Sequence, residues 1–255
     1  MIDDAPVVLR TLALTYGDGH GIEPHSHRWS QLIYAATGTM RVSTQDSCWL
    51  VPPTRAIWAP AGVVHQIRFQ GTTAIRTLYV APHLTLNTQR TCRALEVSPL
   101  LRELILHIVG VGMLRSDVPA QQRMQALLLD LLDASTTSPL ALPLPRDKRA
   151  RRVAEQVLAD PGSPATLTEL AHSVGASTRT LQRCFPEETG LSFHLWRQRA
   201  RLQHGLAQLV SGVSVSGAAL DAGYASVSAF VAAFRQHFGV TPGRYKPRGV
   251  HGSPL

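Results

Sequence analysis

The chain has 255 residues, of which 44% are hydrophobic, and it carries 25 Lys and Arg against 17 Asp and Glu, a formal net charge of +8. This length suits one large domain or two ordinary ones, and the apolar content is too high for an intrinsically disordered chain. Three widely separated cysteines, Cys48, Cys92 and Cys184, form no CxxC pair, which argues against a disulfide framework or a zinc cluster.

Neither a targeting segment nor a membrane span is evident in the sequence. The first ten residues, MIDDAPVVLR, lack the basic start and the apolar core of a signal peptide. The longest apolar stretch, residues 104–114, is interrupted by His107 and is too short to cross a bilayer. We therefore expect a cytoplasmic protein that has no membrane partner.

The first chemically informative motif is PHSHRWSQ at residues 24–31. His25 and His27 are separated by one residue, and Gln31 follows four residues later. Because alternate side chains of a strand point to the same face, the two histidines can contribute to one site. Imidazole is a common metal ligand, so the motif is compatible with a metal centre in an enzyme or with a ligand pocket.

The chain before residue 90 has the pattern of a β-sheet, and the chain after it has the pattern of helices. Residues 37–44, 63–71 and 74–82 alternate apolar with polar side chains and are bounded by glycine or proline, which predicts short, half-buried strands. From about Ala94 to Ala134, leucine and isoleucine recur at helical spacing, which predicts helices.

A proline-rich segment at residues 135–147 separates this part from a basic C-terminal part. Proline fixes φ and blocks helix continuation, so three prolines in 13 residues predict an extended linker. Residues 146–255 hold 14 Lys and Arg against 7 Asp and Glu, a net charge of +7, whereas residues 1–145 hold 11 against 10. Such an asymmetry suggests a polyanion partner for the C-terminal part, with a merely soluble basic surface as the alternative.

The basic part contains an internal repeat. Residues 169–190 and 218–239 match in register, with one residue inserted in the second turn, through the pairs Ala171 and Ala219, Gly175 and Gly223, Leu181 and Phe230, Phe185 and Phe234, and Gly190 and Gly239. Each copy predicts a helix, a glycine turn at positive φ and a second helix capped by Ser177 or Ser226. A spacer helix at residues 192–209 would be about 27 Å long at about 1.5 Å per residue. That is near the ~34 Å between successive major-groove faces, so double-stranded DNA is the expected partner.

These motifs resemble the DNA-binding domain of AraC/XylS-family transcription regulators. The resemblance covers residues 148–247 and includes the closing pattern G-x-T-P-x-x-Y as Gly239, Thr241, Pro242 and Tyr245. It implies DNA contacts by the residues on the two second helices, which are Thr178, Arg179, Thr180, Gln182 and Arg183 in the first copy and Ser226, Val227, Ser228, Val231, Ala232 and Arg235 in the second.

The two copies differ in the chemistry that they offer to bases. In the first copy, Arg179 and Arg183 suit guanine and Gln182 suits adenine through bidentate contacts. In the second copy, Ala232 departs from the family, whose members can carry a long basic residue there. We expect the first helix to carry most of the hydrogen-bonded base readout, and the second to add thymine-methyl or phosphate contacts.

The N-terminal motifs resemble those of cupins. Gly19, His25, His27, Gln31 and Gly38 follow the first cupin motif, and Pro60, Gly62 and His65 resemble the second. The resemblance covers residues 10–82 and implies an antiparallel β-barrel, a domain that precedes the DNA-binding domain in many AraC/XylS-like regulators. It implies an effector or metal pocket at His25, His27, Gln31 and His65, with His65 two strands away and the three histidines as ligands of Zn, Ni, Fe or Mn.

Two departures weigh against cupin catalysis. Gln31 replaces the glutamate of the first motif, and Phe69 replaces the asparagine of the second. Without a carboxylate, the site matches neither a facial triad nor an acid/base pair, so the histidines can instead be polar lining for an organic ligand. Other candidates for the pocket are apolar walls from Trp29, Trp49 and Trp58 and an anion contact from Arg55, with ordinary packing as the alternative for each.

The sequence therefore predicts an α+β chain. Its parts are a cupin-like sensor domain at residues 1–91, a helical connector at 92–134, the linker at 135–147 and a double helix-turn-helix domain at 148–247. The predicted function is that of a sequence-specific transcription regulator, an activator or a repressor without catalytic residues, that senses a small molecule or a metal ion. Family precedent adds a homodimer through residues 92–134 and RNA polymerase as a partner. The alternatives are a cupin-type metalloenzyme with an accessory DNA-binding domain and a ligand-independent DNA-binding protein.

Overall fold

The computed structural model describes residues 7–84, 91–136 and 141–245. The chain forms two compact units, Met1–Ala141 and Leu142–Leu255. Parts of the predicted domains and linker, namely residues 1–6, 85–90, 137–140 and 246–247, lie outside the described residues. No helix in the described ranges has the length and apolar character needed to cross a bilayer.

The N-terminal unit is a curled antiparallel sheet with helices against one face. Two long strands are central, because β3 pairs with β4, β5 and β6, while β6 pairs with β1 and β2 as well. The strands are β1 (Val7–Tyr16), β2 (Gly21–His25), β3 (Ser30–Ser43), β4 (Ser47–Val51), β5 (Arg55–Ala59), β6 (His65–Val80), β7 (Arg93–Glu96) and β8 (Leu114–Arg115). A short 3₁₀ turn at Pro82–Leu84 follows β6.

Both faces of this sheet are covered, which explains why residues 30–35 of β3 are all buried. On one face, Ile33 and Ala35 belong to a cluster, here called the inner core, with Ile57, Ile67, Phe69 and Ile75. On the other face, Leu32 and Tyr34 pack in a helix-facing core against α1 (Pro99–Val111) and α2 (Pro119–Ala134). Because successive side chains of a strand point to opposite faces, one apolar run supplies both cores.

A bulge in β3 changes which residues face inward. The register of β3 against β6 shifts between Ala35 and Thr39, around Gly38, whose φ is +76°. Before the bulge the odd-numbered Ile33 and Ala35 face the inner core, and after it the even-numbered Met40 and Val42 do. An extra residue in one strand has this effect because the side-chain period is two.

The helical segment predicted to begin near Ala94 begins instead with a strand. Arg93–Glu96 is β7 and pairs with β5, with Ala94 in the inner core and Leu95 in the helix-facing core. The first helix of the segment starts only at Pro99, which occupies the first turn after the cap Ser98. Proline suits that position because its missing N–H would be unpaired there in any case.

Over its described residues, 142–245, the C-terminal unit is helical apart from a two-residue strand, Leu142–Pro143. The predicted caps are confirmed, since Ser177 accepts a hydrogen bond from Thr180 N and Ser226 accepts one from Ala229 N. The turn glycines Gly175 and Gly223 have φ of +66° and +71°. The helices are α3 (Lys148–Ala159), α4 (Leu167–Ser173), α5 (Thr178–Thr189), α6 (Phe193–Val210), α7 (Val215–Asp221) and α8 (Val227–Phe238), followed by a 3₁₀ turn at Pro242–Tyr245.

The long helix α6 is shared by two helix-turn-helix units. At its start, the Trp196 ring lies 5.4 Å from that of Phe185 on α5, and its Nε1 donates to Pro143 O at 2.6 Å. Further along, the fully buried Phe230 of α8 packs directly on Gly205. The spacer helix predicted at residues 192–209 is thus confirmed, and it contributes to the core of both units.

Candidate effector pocket and DNA-binding surface

Three histidines converge where β2 ends and β6 begins. His25, the last residue of β2, is the direct cross-strand partner of His65, the first residue of β6. His27 lies two residues beyond β2, and one ring nitrogen from each of the three histidines lies within 4.8 Å of the others. The expectation that His65 lies two strands away is wrong, because β2 pairs directly with β6. His25 and His27 were also expected on one strand, but only His25 lies in β2.

Each ring nitrogen of His65 lies within hydrogen-bond distance of an oxygen atom. Its Nδ1 lies 3.0 Å from Val63 O, and its Nε2 lies 2.9 Å from Gln31 Oε1. Burial holds the pKa of His65 below its ordinary value, so the ring is neutral near pH 7. A neutral imidazole has one N–H, so this ring donates to Val63 O or to Gln31 Oε1 but not to both.

His27 has an uncommitted nitrogen in the same place. Its Nε2 is buried and has no hydrogen-bond partner in the described part of the chain. Burial, and then the neighbouring His25, hold the pKa of His27 below its ordinary value, so this ring is also neutral near pH 7. A buried, unpaired nitrogen is costly unless a ligand, an ion or water completes it.

Tyr79 belongs to this site, although the sequence motifs do not include it. Its ring lies 5.0 Å from the ring of His27, and its hydroxyl lies 3.4 Å from Gln31 Nε2. Tyr79 is the cross-strand partner of Gln31 and alternates with Ile75 on the inward side of β6. The period-two pattern of β6 is therefore the signal that could have identified it.

The arrangement offers imidazole nitrogens as ligand atoms. The cluster of metal-binding side chains consists of His25, His27 and His65 and contains no carboxylate. Three imidazoles beside an amide oxygen suit a borderline divalent ion such as Zn or Ni. The same groups can hydrogen-bond a polar organic molecule.

The four other pocket candidates have structural roles. Trp49 is buried in the inner core, while Trp58 is buried in the helix-facing core and so lies on the other side of the sheet from the histidines. Arg55 forms an ion pair with Glu96 at 2.6 Å. Trp29 carries the guanidinium of Arg10 above its ring at 4.8 Å. Trp58 is therefore not a wall of this pocket, and Arg55 is already paired.

The second helix of the first repeat exposes a polar face. Arg179, Gln182 and Arg183 of α5 are exposed, whereas Leu181 and Phe185 of the same helix are buried. Thr178 and Thr180 are half-buried at its start. The ion pair between Arg183 Nε and Glu187 Oε2 is 3.9 Å long and exposed, which is too weak to occupy the guanidinium.

The corresponding helix of the second repeat exposes small and apolar side chains. Phe230 and Phe234 of α8 are buried, and Val231 is half-buried. The other predicted contact residues are all exposed, namely Ser226, Val227, Ser228, Ala232 and Arg235. The two helices thus present different chemistry on the same scaffold, because only α5 carries long hydrogen-bonding side chains in its first two turns.

Both halves of the chain match known protein families. The family model of the AraC-like ligand-binding domain matches residues 11–151, and that of a helix-turn-helix domain matches residues 170–248. The HTH-type transcriptional regulator NimR of Escherichia coli (strain K12) is 35% identical over 231 residues, which are 90% of this chain and 84% of NimR. The HTH-type transcriptional regulator RipA of Corynebacterium glutamicum is 39% identical over 103 residues, 40% of this chain and 31% of RipA. A crystal structure of a DNA-binding transcriptional dual regulator from Escherichia coli K-12 matches 40% of this chain and 93% of its own at 28% identity, with a TM-score of 0.37.

Proposed function

Because this chain belongs to the AraC family of transcription regulators, with an N-terminal ligand-binding domain and a C-terminal helix-turn-helix DNA-binding domain, we propose that its histidine cluster receives the signal that controls DNA binding. The observation that carries the proposal is the convergence of His25, His27 and His65 with the buried, unpaired Nε2 of His27. A divalent ion such as Zn, Ni, Fe or Mn would complete that nitrogen, and Gln31 and Tyr79 would flank it.

The experiment measures metal content and DNA affinity together. Protein purified without a His tag is analysed for bound metal and titrated calorimetrically with Zn and Ni. Replacing His25 and His27 with alanine should abolish binding and alter the response of DNA affinity to the metal, without unfolding the C-terminal unit. His107→Ala is the matched control, because that histidine is exposed on α1. Absence of both bound metal and heat at micromolar concentration would contradict the metal proposal.

A polar organic effector is the second candidate for the same pocket. It is favoured by Gln31, a neutral amide that hydrogen-bonds His65 and Tyr79 where a carboxylate would strengthen a metal site. In that case the histidines are polar lining, and the double variant loses the response to the organic molecule alone. Because the cluster lacks a carboxylate, we propose binding rather than turnover, so that the protein is a regulator and not an enzyme.

For the DNA-binding half we propose that α5 and α8 enter successive major grooves of one duplex. Their exposed residues would make the contacts, with Arg179, Gln182 and Arg183 for base readout and Arg235 for phosphate. DNA as the partner implies action in the cytoplasm, with RNA polymerase as a further partner at promoters. Ligand-independent DNA binding would remain if neither effector class changed affinity.

We also propose a division of labour along the chain. Residues 1–91 form the sensor, residues 92–134 couple it and dimerise, residues 135–147 link the halves, and residues 148–247 bind DNA. The homodimer is supported by exposed apolar side chains on the two N-terminal helices, including Leu100 at 55% and Leu127 at 40% exposure. Light scattering of the full chain, compared with a variant in which both leucines are replaced by glutamine, tests it.

A further inference from the structure

Two arginines of α6 are bound to a loop rather than offered to solvent. Arg197 and Arg201 are one helical turn apart and therefore lie on the same face of the helix. Arg197 donates from Nη1 to Ala165 O at 2.6 Å and from Nη2 to Ser163 O. Arg201 donates from Nε to Pro161 O at 3.0 Å and from Nη2 to Ser163 O at 3.1 Å. Both guanidinium groups thus hold the segment at residues 161–165, which connects α3 to α4.

The same segment touches the turn of the second helix-turn-helix unit. A Cβ added to Gly162 would collide with the carbonyl oxygen of Asp221, the last residue of α7. A Cβ added to Gly223 in that turn would lie 2.8 Å from Gly162 O and 3.1 Å from Arg201 Nη2. The backbone of the loop at residues 161–165 therefore contacts the backbone of the turn in the second helix-turn-helix unit, and Arg201 lies beside this contact.

These interactions need arginine. Three carbonyls receive four N–H groups from two planar forks, a geometry that the single ammonium of lysine cannot reproduce. Burial, and then the charge of Arg201, lower the pKa of Arg197 from its ordinary value. Two adjacent cations are costly to desolvate, and the carbonyl contacts offset that cost.

We propose that residues 161–165, Arg197 and Arg201 form a strut that fixes the distance and rotation between α5 and α8. The proposal rests on the proposed function, in which both helices bind one duplex. The strut connects the two helix-turn-helix units in addition to the connection that α6 provides. Arg197 and Arg201 are then positioning residues, and the strut determines which spacing between two DNA boxes the protein accepts.

The geometry of DNA provides the test. One inserted base pair moves the second box by about 3.4 Å and rotates it by about 34°, given 10–10.5 base pairs per turn. If the strut fixes α5 relative to α8, the protein cannot contact both displaced boxes without losing some contacts. If the two helix-turn-helix units can instead move about α6, it can contact both. The ratio of the affinities for the operators without and with the insertion therefore measures how rigidly the strut holds the two helices. A loss of affinity that is equal for both operators cancels from this ratio.

The experiment uses the full chain and an operator selected from random duplexes. Fluorescence anisotropy measures its affinity for that operator with zero, one or two base pairs inserted between the boxes. The wild type should lose at least about tenfold with one insertion, a loss comparable with that of a mismatched base pair. The double variant Arg197→Gln and Arg201→Gln should lose less than about threefold. Arg152→Gln removes an exposed positive charge from α3 and should keep the wild-type ratio.

Each outcome decides between the alternatives. A folded double variant with the wild-type insertion penalty overturns the strut. If the double variant does not fold, Arg201→Lys and Gly162→Ala replace it, since they remove the fork and displace the loop respectively, and an unchanged penalty in both overturns the strut equally. A wild type that binds its operator without an insertion penalty also contradicts it. A wild type that selects no operator contradicts the proposed function instead.

Discussion

Among single residues, Arg183 is the sharpest test of base readout. It is exposed on α5, close to the buried anchor Phe185, and its Nε lies 3.9 Å from a carboxylate oxygen of Glu187. Arg183→Ala should weaken specific DNA binding by about 1–3 kcal/mol and relax the preference at one base pair. Arg235→Ala on α8 is the comparison, because loss of a phosphate contact should weaken all sequences alike. Unchanged affinity and unchanged base preference in a titration across operator variants would remove Arg183 from the readout set.

His237 predicts a pH dependence of stability in the C-terminal unit. It lies on α8 beside Arg199, and its buried Nε2 has no hydrogen-bond partner within the described residues. Burial, and then the Arg199 charge, lower the pKa of His237 from its ordinary value of 6.5. The unfolded chain therefore binds this proton more readily, so the stability present above about pH 6.5 is lost as pH falls through the lower folded value.

Urea unfolding of wild type and His237→Gln at pH 7.5 and pH 5.5 measures this contribution. The variant should lose less stability on acidification than the wild type does. Comparing the two proteins removes the contributions of His27 and His65, whose pKa values are lowered in the same direction in the other unit. An identical loss in both proteins would show that His237 does not titrate differently on folding.

The histidine site illustrates how far residue spacing can be used. The spacing of His25 and His27 predicted one shared face, and the second motif predicted that His65 would join them. The strand order was wrong because the partner of β2 is set by the whole sheet and not by any local pattern. Tyr79 was missed because it lies in no motif, although it pairs with Gln31 across the strands.

At the level of elements, two helical glycines form a matched pair. Gly205 in α6 lies under the Phe230 ring, so an added Cβ would be 2.6 Å from that ring, whereas Gly110 in α1 has nothing within 4 Å. Gly110→Ala should stabilise its helix by about 0.5–1 kcal/mol, the usual gain in backbone propensity. At Gly205 the same gain is opposed by overpacking of about 1–3 kcal/mol, so Gly205→Ala should destabilise.

Denaturant unfolding of the two variants decides this prediction. The expected result is opposite signs for chemically identical substitutions. Equal effects would mean that Phe230 can move away from α6 at little cost and that α8 is held mainly by other contacts. A loss of DNA affinity in Gly205→Ala alone would further indicate that the packing of α8 against α6 determines the position of the second recognition helix.

The elements differ in how well the sequence predicts them. The capping serines and turn glycines of the repeat were predicted because caps and positive φ depend on one or two local residues. The strand Arg93–Glu96 was not, since Ala94 and Leu95 fit helical spacing as well as strand alternation. The bulge around Gly38 was also not predicted, although a glycine inside a strand is its local signal. It determines that Met40 and Val42, rather than their neighbours, enter the inner core.

For the whole molecule, the charge of the C-terminal half overstates its DNA-facing surface. Residues 146–255 contain 14 Lys and Arg against 7 Asp and Glu. Arg197 and Arg201 are bound to loop carbonyls, and Arg149 pairs with Asp147 at 3.1 Å. Composition could suggest a polyanion partner, but it could not separate cations that bind backbone from cations that are available to phosphate.

This distinction predicts the salt dependence of DNA binding. With several arginines committed within the unit, we expect about four to six phosphate contacts, and log K should fall linearly with log[salt] at a slope of about −4 to −5. Anisotropy titrations between about 50 and 200 mM salt measure the slope. Arg235→Ala should reduce it by about one, because a phosphate contact is lost, whereas Arg197→Gln should leave it unchanged, because that guanidinium binds Ser163 and Ala165. A nearly flat slope would mean that the basic surface does not face DNA. A reduced slope in Arg197→Gln would mean that this arginine leaves its loop for phosphate when DNA binds.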